Sequence, residues 1–267
     1  MTHDKVTIKI SGVRICLRGS VRSIGRAARR YSPYVVSGRA DVTLDWTEGV
    51  PPRSPHWPNP SVLDGEGGRL VISRRDFHGE VEGRRGQFVT QPKLLALDSF
   101  LRVLMTEILA KRGGVLFHSV GIGTRLFPGR SDAGKTTLAS LAPKQSVLSD
   151  EIVAVLPTVK GFVLHATPFW GSFRRGTNTD RKPLRAIFFL HRRRKERIDR
   201  VTSSEALMRI LECLLCFCDD DARAELLLKI CSNLVQSVPV FTLSYHVGKT
   251  DFQMLEQRLG EACPSSC

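Results

Sequence analysis

The sequence contains no uninterrupted apolar run approaching the roughly 20 residues that cross a bilayer. Its start, MTHDKVTIKI, has neither the basic opening nor the apolar stretch of a signal peptide. Both absences lead to the expectation of a cytoplasmic chain with no membrane partner. Acidic residues are in short supply: 26 Asp and Glu stand against 40 Lys and Arg, a formal charge of +14. That deficit favours anionic partners such as nucleotides, nucleic acid, acidic peptides or a membrane surface. Most of the excess is arginine dispersed along the chain, as at 26–30 and 192–197, which reads as a basic, solvated surface rather than a nucleic-acid groove. No internal repeat is visible. The seven cysteines are odd in number and unevenly spaced, a poor disulfide framework. Cys213, Cys216 and Cys218 form C-x-x-C-x-C within an apolar run of helical character, ALMRILECLLCFC. With no second ligand cluster beside them, they read as buried free thiols rather than metal ligands.

What is present suits a globular protein. The 267 residues, 42% hydrophobic and 25% charged, provide for one large domain or a small one joined to a medium one. The first ninety residues read as strands. Val6, Ile8 and Ile10 alternate with polar residues, and so do Val13, Ile15 and Leu17, and then Val42, Leu44 and Trp46; Leu70–Ile72 makes a fourth run. Five prolines between 51 and 60 exclude regular structure there. A small antiparallel sheet with long loops is expected over 1–90.

The period changes after Pro92. Leu94, Leu97, Leu101, Leu104 and Ile108 recur at helical spacing, and Gly113–Gly114 supplies a stop. The boundary is expected near 91, with a second domain over 91–267. Short β-like runs then alternate with helices: VLFHSV, TRLFP, SVLSDEIVAV, FVLHAT, LRAIFFL and VFTLSYH are the strands. Thr202 to Glu205 offers a capping box, a second helix is expected over about 223–235, and a last one begins near 251. A mixed α/β architecture follows.

Residues 129–137 read GRSDAGKTT, the spacing G-x-x-x-x-G-K-[ST]. Glycines at 129 and 134 let the chain curl so that the N–H groups of Gly129, Arg130, Ser131, Asp132, Ala133 and Gly134 turn towards phosphate oxygens. Lys135 reaches the β and γ phosphates, the Thr136 hydroxyl ligates Mg²⁺, and the helix opened by Thr136 and Thr137 directs its positive end at the same anion. ATP and Mg²⁺ are therefore the expected cofactors. Asp132 is a carboxylate in the middle of a phosphate cradle. Either it turns away while its N–H faces the phosphates, or it lies near the metal and the incoming substrate.

Fifteen residues past Lys135, VLSDEIVAV ends a strand in two adjacent acids, Asp150 and Glu151. One carboxylate there is placed to hold Mg²⁺, and the other to accept a proton from an attacking hydroxyl. In HATPFWGSFRRG, His165, Arg174 and Arg175 are candidates for phosphate or substrate contacts, where guanidinium stabilises developing charge. Phe169 and Trp170 either line a pocket or pack in the core.

The order LFHSVGI, LFPGRSDAGKTTLA, VLSDEIVAV, HATPFWGSF, PLRAIFFL resembles the HPr kinase-related family over about residues 91–250. The resemblance implies a P-loop kinase core of the type shared with phosphoenolpyruvate carboxykinase, preceded here by a strand-rich region of its own. It implies transfer of the γ-phosphoryl group of ATP to a hydroxyl: a serine of a protein, a peptide, or a small molecule. Asp150 matches the family's proton acceptor and Glu151 its second acid, commonly Asp in HPr kinases. His118 resembles the family's active-site histidine; read from the residues alone, it is equally a packed strand histidine. Gly is usual where Asp132 stands. Regulatory members form hexamers, which leaves an oligomer open for this chain. Their extra signature after the kinase core is not evident here, which favours a relative with its own acceptor over a kinase of HPr itself.

Three rivals are weaker. A GTPase requires N-K-x-D and a D-x-x-G switch after the loop; GKTD at 248–251 departs from the first, and DGEG at 64–67 precedes the loop. A carboxykinase is a longer chain with an oxaloacetate-binding set. A nucleotide-binding module without catalysis, or a nucleic-acid-binding ATPase, draws support from HRRRKER at 191–197, but no aromatics interleave with those arginines and a solvated loop explains the run equally well.

Overall fold

Alternating apolar residues lay down two separate sheets in the computed structural model, which describes residues 3–54, 59–64, 68–130, 133–171, 179–193, 196–217, 220–246 and 252–262. The chain divides into two compact units, Met1–Ile108 with Cys216–Ala224, and Leu109–Leu215 with Glu225–Cys267. The expected boundary near 91 differs from this division by one helix, α2 (Leu94–Ala110). Its Phe100 stacks on Phe88 at 4.2 Å and meets Phe77 edge-on, so apolar packing ties the helix to the first sheet.

The first unit holds β1 (His3–Ile10), β2 (Val13–Ser20), β3 (Val42–Glu48), β4 (Ser61–Asp64), β5 (Leu70–Arg74), β6 (Phe77–Glu82) and β7 (Arg85–Thr90). Their order is β1-β2-β3-β7-β6-β5-β4. Two expectations are corrected. The sheet is mixed rather than antiparallel, because β2 pairs with β3, and β3 with β7, in parallel. The region also contains a helix, α1 (Val21–Arg30), which makes the crossover that a parallel β2–β3 pair requires. Ser20 caps it, its Oγ accepting from the Ser23 N–H. Only Ile24 and Ala27 among its apolar positions are buried, too sparse a stripe to stand out in an arginine-rich run.

The second unit is built on β8 (Val115–Ile122), β9 (Arg125–Pro128), β10 (Val147–Ser149), β11 (Ile152–Thr158), β12 (Gly161–His165), β13 (Arg181–Pro183), β14 (Ala186–Arg192), β15 (Arg197–Arg200) and β16 (Val240–Tyr245). The sheet runs β13-β12-β11-β8-β9-β14-β16-β15, with β10 also on β8. At its centre β9, β14 and β16 are parallel, and antiparallel strands flank them on both sides. Helices α4 (Ser203–Leu211) and α5 (Asp221–Ser237) bury Ile210, Ile230 and Leu234 against one face of this sheet. Helices α3 (Lys135–Leu141) and α6 (Phe252–Ala262) bury Leu138 and Leu255 against the other. The class is therefore α/β with mixed sheets. No helix among the described residues is long and apolar enough to cross a membrane.

The cysteine-bearing segment departs from its expected helix. α4 ends at Leu211, and Leu214 then pairs with Phe117 while the Leu215 N–H donates to the Leu116 carbonyl. Strand β9 pairs with β8 only over Ser119–Ile122, so on that side Leu116 and His118 bond Leu215 and Cys213, which competes successfully with further helix. Cys213 is buried and Cys216 exposed, both as free thiols; Cys218 lies outside the described residues.

Candidate functional site

The G-x-x-x-x-G-K-[ST] stretch sits at the C-terminal end of β9, where the parallel centre of the sheet begins. Its two glycines are required for different reasons. A Cβ on Gly129 would stand 2.9 Å from the Ala133 Cβ, a clash that prevents the loop from closing on itself. Gly134 has φ +96°, the left-handed region that a side chain disfavours. Lys135 follows as the first residue of α3 and is 6% exposed. Its Nζ donates to the Gly129 carbonyl at 2.5 Å and to the Arg130 carbonyl at 2.7 Å, curling the side chain over the loop. Thr136 is exposed, Thr137 half-buried, and the Ala133 N–H donates to the Arg130 carbonyl. Ser131 and Asp132 lie outside the described residues.

The acid pair reaches this loop through the sheet. Ser119 of β8 pairs with Pro128, the last residue of β9, and donates its N–H to the Glu151 carbonyl at 2.8 Å. Glu151, just before β11, therefore stands in one rank with Ser119 and Pro128, which spans about 10 Å at normal strand spacing. Asp150 is 6% exposed, and its Oδ1 accepts from the Gly171 N–H at 3.1 Å. Asp150 Oδ2 and Glu151 Oε2 lie 3.3 and 3.5 Å from where a Cβ on Gly171 would stand, so both carboxylates line one spot.

His118 lies between loop and acids. It pairs with Ile152, its carbonyl accepts from the Gly129 N–H at 3.2 Å, and its own N–H donates to the Cys213 carbonyl. The residue is half-buried, not enclosed in the core. His165 stands farther off. Its partner on β11 is Ala154, two residues further along the strand than Ile152, the partner of His118. Arg174 and Arg175 lie outside the described residues, Phe169 is fully buried in a packing role, and Trp170 is half-buried.

Three contributors were not among the expected site residues. Tyr245, at the end of β16 and fully buried, donates its hydroxyl to the Gly134 carbonyl at 2.8 Å across 111 residues of chain. Thr167 donates to the Ile152 carbonyl at 2.6 Å and fixes the turn that delivers Gly171 to the acids. Cys213 supplies the carbonyl opposite His118. A T-P turn closed by glycine was the available hint for Thr167 and Gly171; nothing local distinguishes Tyr245 from another core aromatic. Tyr245→Phe removes this bond but leaves the Gly134 carbonyl its Leu138 N–H at 3.0 Å, and should cost about 0.5–1.5 kcal/mol, read by thermal unfolding.

Cys213 is electrostatically inert at neutral pH. Burial pushes its thiol up to about 11, against the lowering pull of Lys135, and burial alone pushes Cys231 up to about 12. Only the thiolate reacts. Brief alkylation of the native protein at pH 8 should label exposed Cys216 and spare Cys213 and Cys231 until denaturation, as read by peptide mass mapping.

Among the described residues no three His, Cys, Asp or Glu gather as a metal cluster. Mg²⁺ needs none, since it takes one or two carboxylates together with phosphate oxygens and water. Thr136, Asp150 and Glu151 are donors of the right hardness for that mode. No protein-family model matches the chain, and no curated protein matches it.

Proposed function

We propose that the chain is an ATP-dependent kinase of the HPr kinase-related type, transferring the γ-phosphoryl group to a hydroxyl of a polypeptide or small molecule. The observation that carries this reading is the pairing of a curled loop, with buried Lys135 at its end, and a buried Asp150 just before β11, the neighbour of β8. A phosphate loop alone would suit any nucleotide binder. A carboxylate beside it is what hydroxyl phosphorylation adds.

Lys135 has its charge held at the loop mouth by two carbonyls and exchanges them for phosphate oxygens. Thr136 and one acid of the Asp150–Glu151 pair, Glu151 where Asp150 takes the proton, would hold Mg²⁺, which would offset phosphate charge. Asp150, positioned by the Gly171 N–H, takes the proton of the acceptor hydroxyl. His118 and Tyr245 position the loop, the first through its backbone and the second through its hydroxyl. The test is to mix protein and ATP with serine-containing peptides and small polyols, and to follow ADP and phosphorylated product by mass spectrometry. ATP binding without transfer to any acceptor, unchanged in Asp150→Asn, would identify a nucleotide-binding module instead.

A further inference from the structure

The basic run His191–Arg197 takes no part in the phosphate loop, yet its ends line a groove of about 730 Å³ in the second unit. The groove lies between the ends of β14 and β16, strand β15 and the start of α4. His191, Arg193, Arg197 and Arg200 line it, with Asp199 and Glu205. Arg197 is committed to Asp199 at 2.6 Å. Arg193 and Arg200 are exposed and have no ion pair among the described residues. Two uncommitted guanidiniums in one concavity are a standing demand for carboxylate or phosphate.

The groove runs along β15 from Arg200, opposite Phe241, to Arg193, which bonds Tyr245, and its Arg193 end lies at the end of the sheet where the phosphate loop follows β9, because β9, β14 and β16 run parallel. Arg209 of α4 donates to Thr242, which fixes that side of β16 as the α4 side. Ser244 shares it by alternation, and the next residue, Tyr245, points the other way and reaches the Gly134 carbonyl. The Arg193 end of the groove and the loop are thus on opposite faces at one end of the sheet, joined through two consecutive residues of β16.

We infer that this groove docks an acidic segment of the polypeptide that is phosphorylated. The inference rests on the kinase reading and narrows its acceptor to a protein or peptide. Guanidinium forks match side-chain carboxylates in pairs. Nucleic acid fits less well: Asp199 and Glu205 interrupt the positive surface, and no aromatic side chain lines the groove for a base to stack on. Binding energy gathered here is remote from the reacting atoms and sets acceptor choice without altering the chemistry.

Anisotropy of a fluorescein-labelled octaglutamate peptide tests the site. Because the whole chain carries +14, binding alone does not locate it, and the variants decide. Arg193→Glu with Arg200→Glu should weaken peptide binding at least tenfold, whereas Asp199→Asn, which frees Arg197, should tighten it several-fold. Unchanged affinity in the double variant overturns the inference, as does a labelled oligothymidylate binding the wild type more tightly than the peptide. If the double variant fails to fold by thermal unfolding, absence of tightening in Asp199→Asn overturns it alone. MgATP titration of the same samples keeps the two readings apart, since loss of ATP binding in the wild type defeats the kinase and not the groove.

Discussion

Lys135→Ala should reduce phosphoryl transfer by about 10³-fold or more and weaken MgATP binding. The change removes the cation that the proposed site would direct at the β and γ phosphates. Loss of one preorganised donor in a comparable site costs about 10²–10³ in rate, and a full charge in a water-poor setting costs at least as much. The side chain is 6% exposed and tied to the Gly129 and Arg130 carbonyls, so its loss also loosens the loop before any ligand arrives. Steady-state kinetics with thermal unfolding in parallel separates the two effects, because a change in unfolding temperature without loss of transfer would give Lys135 a structural role alone.

Asp150→Asn is the sharper chemical test. The amide oxygen still accepts the Gly171 N–H, so the turn that carries Gly171 is preserved and folding should be unaffected. What disappears is the capacity to take a proton. General-base loss costs about 10²–10⁴ in rate, and we expect kcat to fall within that range while MgATP affinity changes little. The measurement is single-turnover transfer, which isolates chemistry from product release. A fall in ATP affinity with an unchanged transfer rate would move Asp150 from proton acceptor to metal ligand.

Local signals were enough for much of the second unit. The G-x-x-x-x-G-K-[ST] spacing placed Gly129, Gly134 and Lys135, and each now has a geometric reason: a close approach, a positive φ and a buried amine. The acid pair after an apolar run was equally visible. The connections were not. That Ser119 links Glu151 to Pro128 depends on β8 lying between β9 and β11, a pairing between segments far apart in sequence. Tyr245 reaches Gly134 only once β14 separates β16 from β9. The first unit was the harder region: β6 and β7 carry Gly79 and Gly86 with charged neighbours, which breaks the alternation, and α1 has too few apolar residues for a helical stripe. Cys213 and Leu214 left their expected helix because β8 offered backbone partners that a reading of helical period does not consider.

Isothermal titration of the wild-type protein with MgATP, alongside Lys135→Ala, tests most directly whether residues 129–137 form a nucleotide site. One MgATP bound per chain, with binding lost or weakened at least tenfold in the variant, is the predicted result; equal binding by both proteins, or none by the wild type, would contradict it.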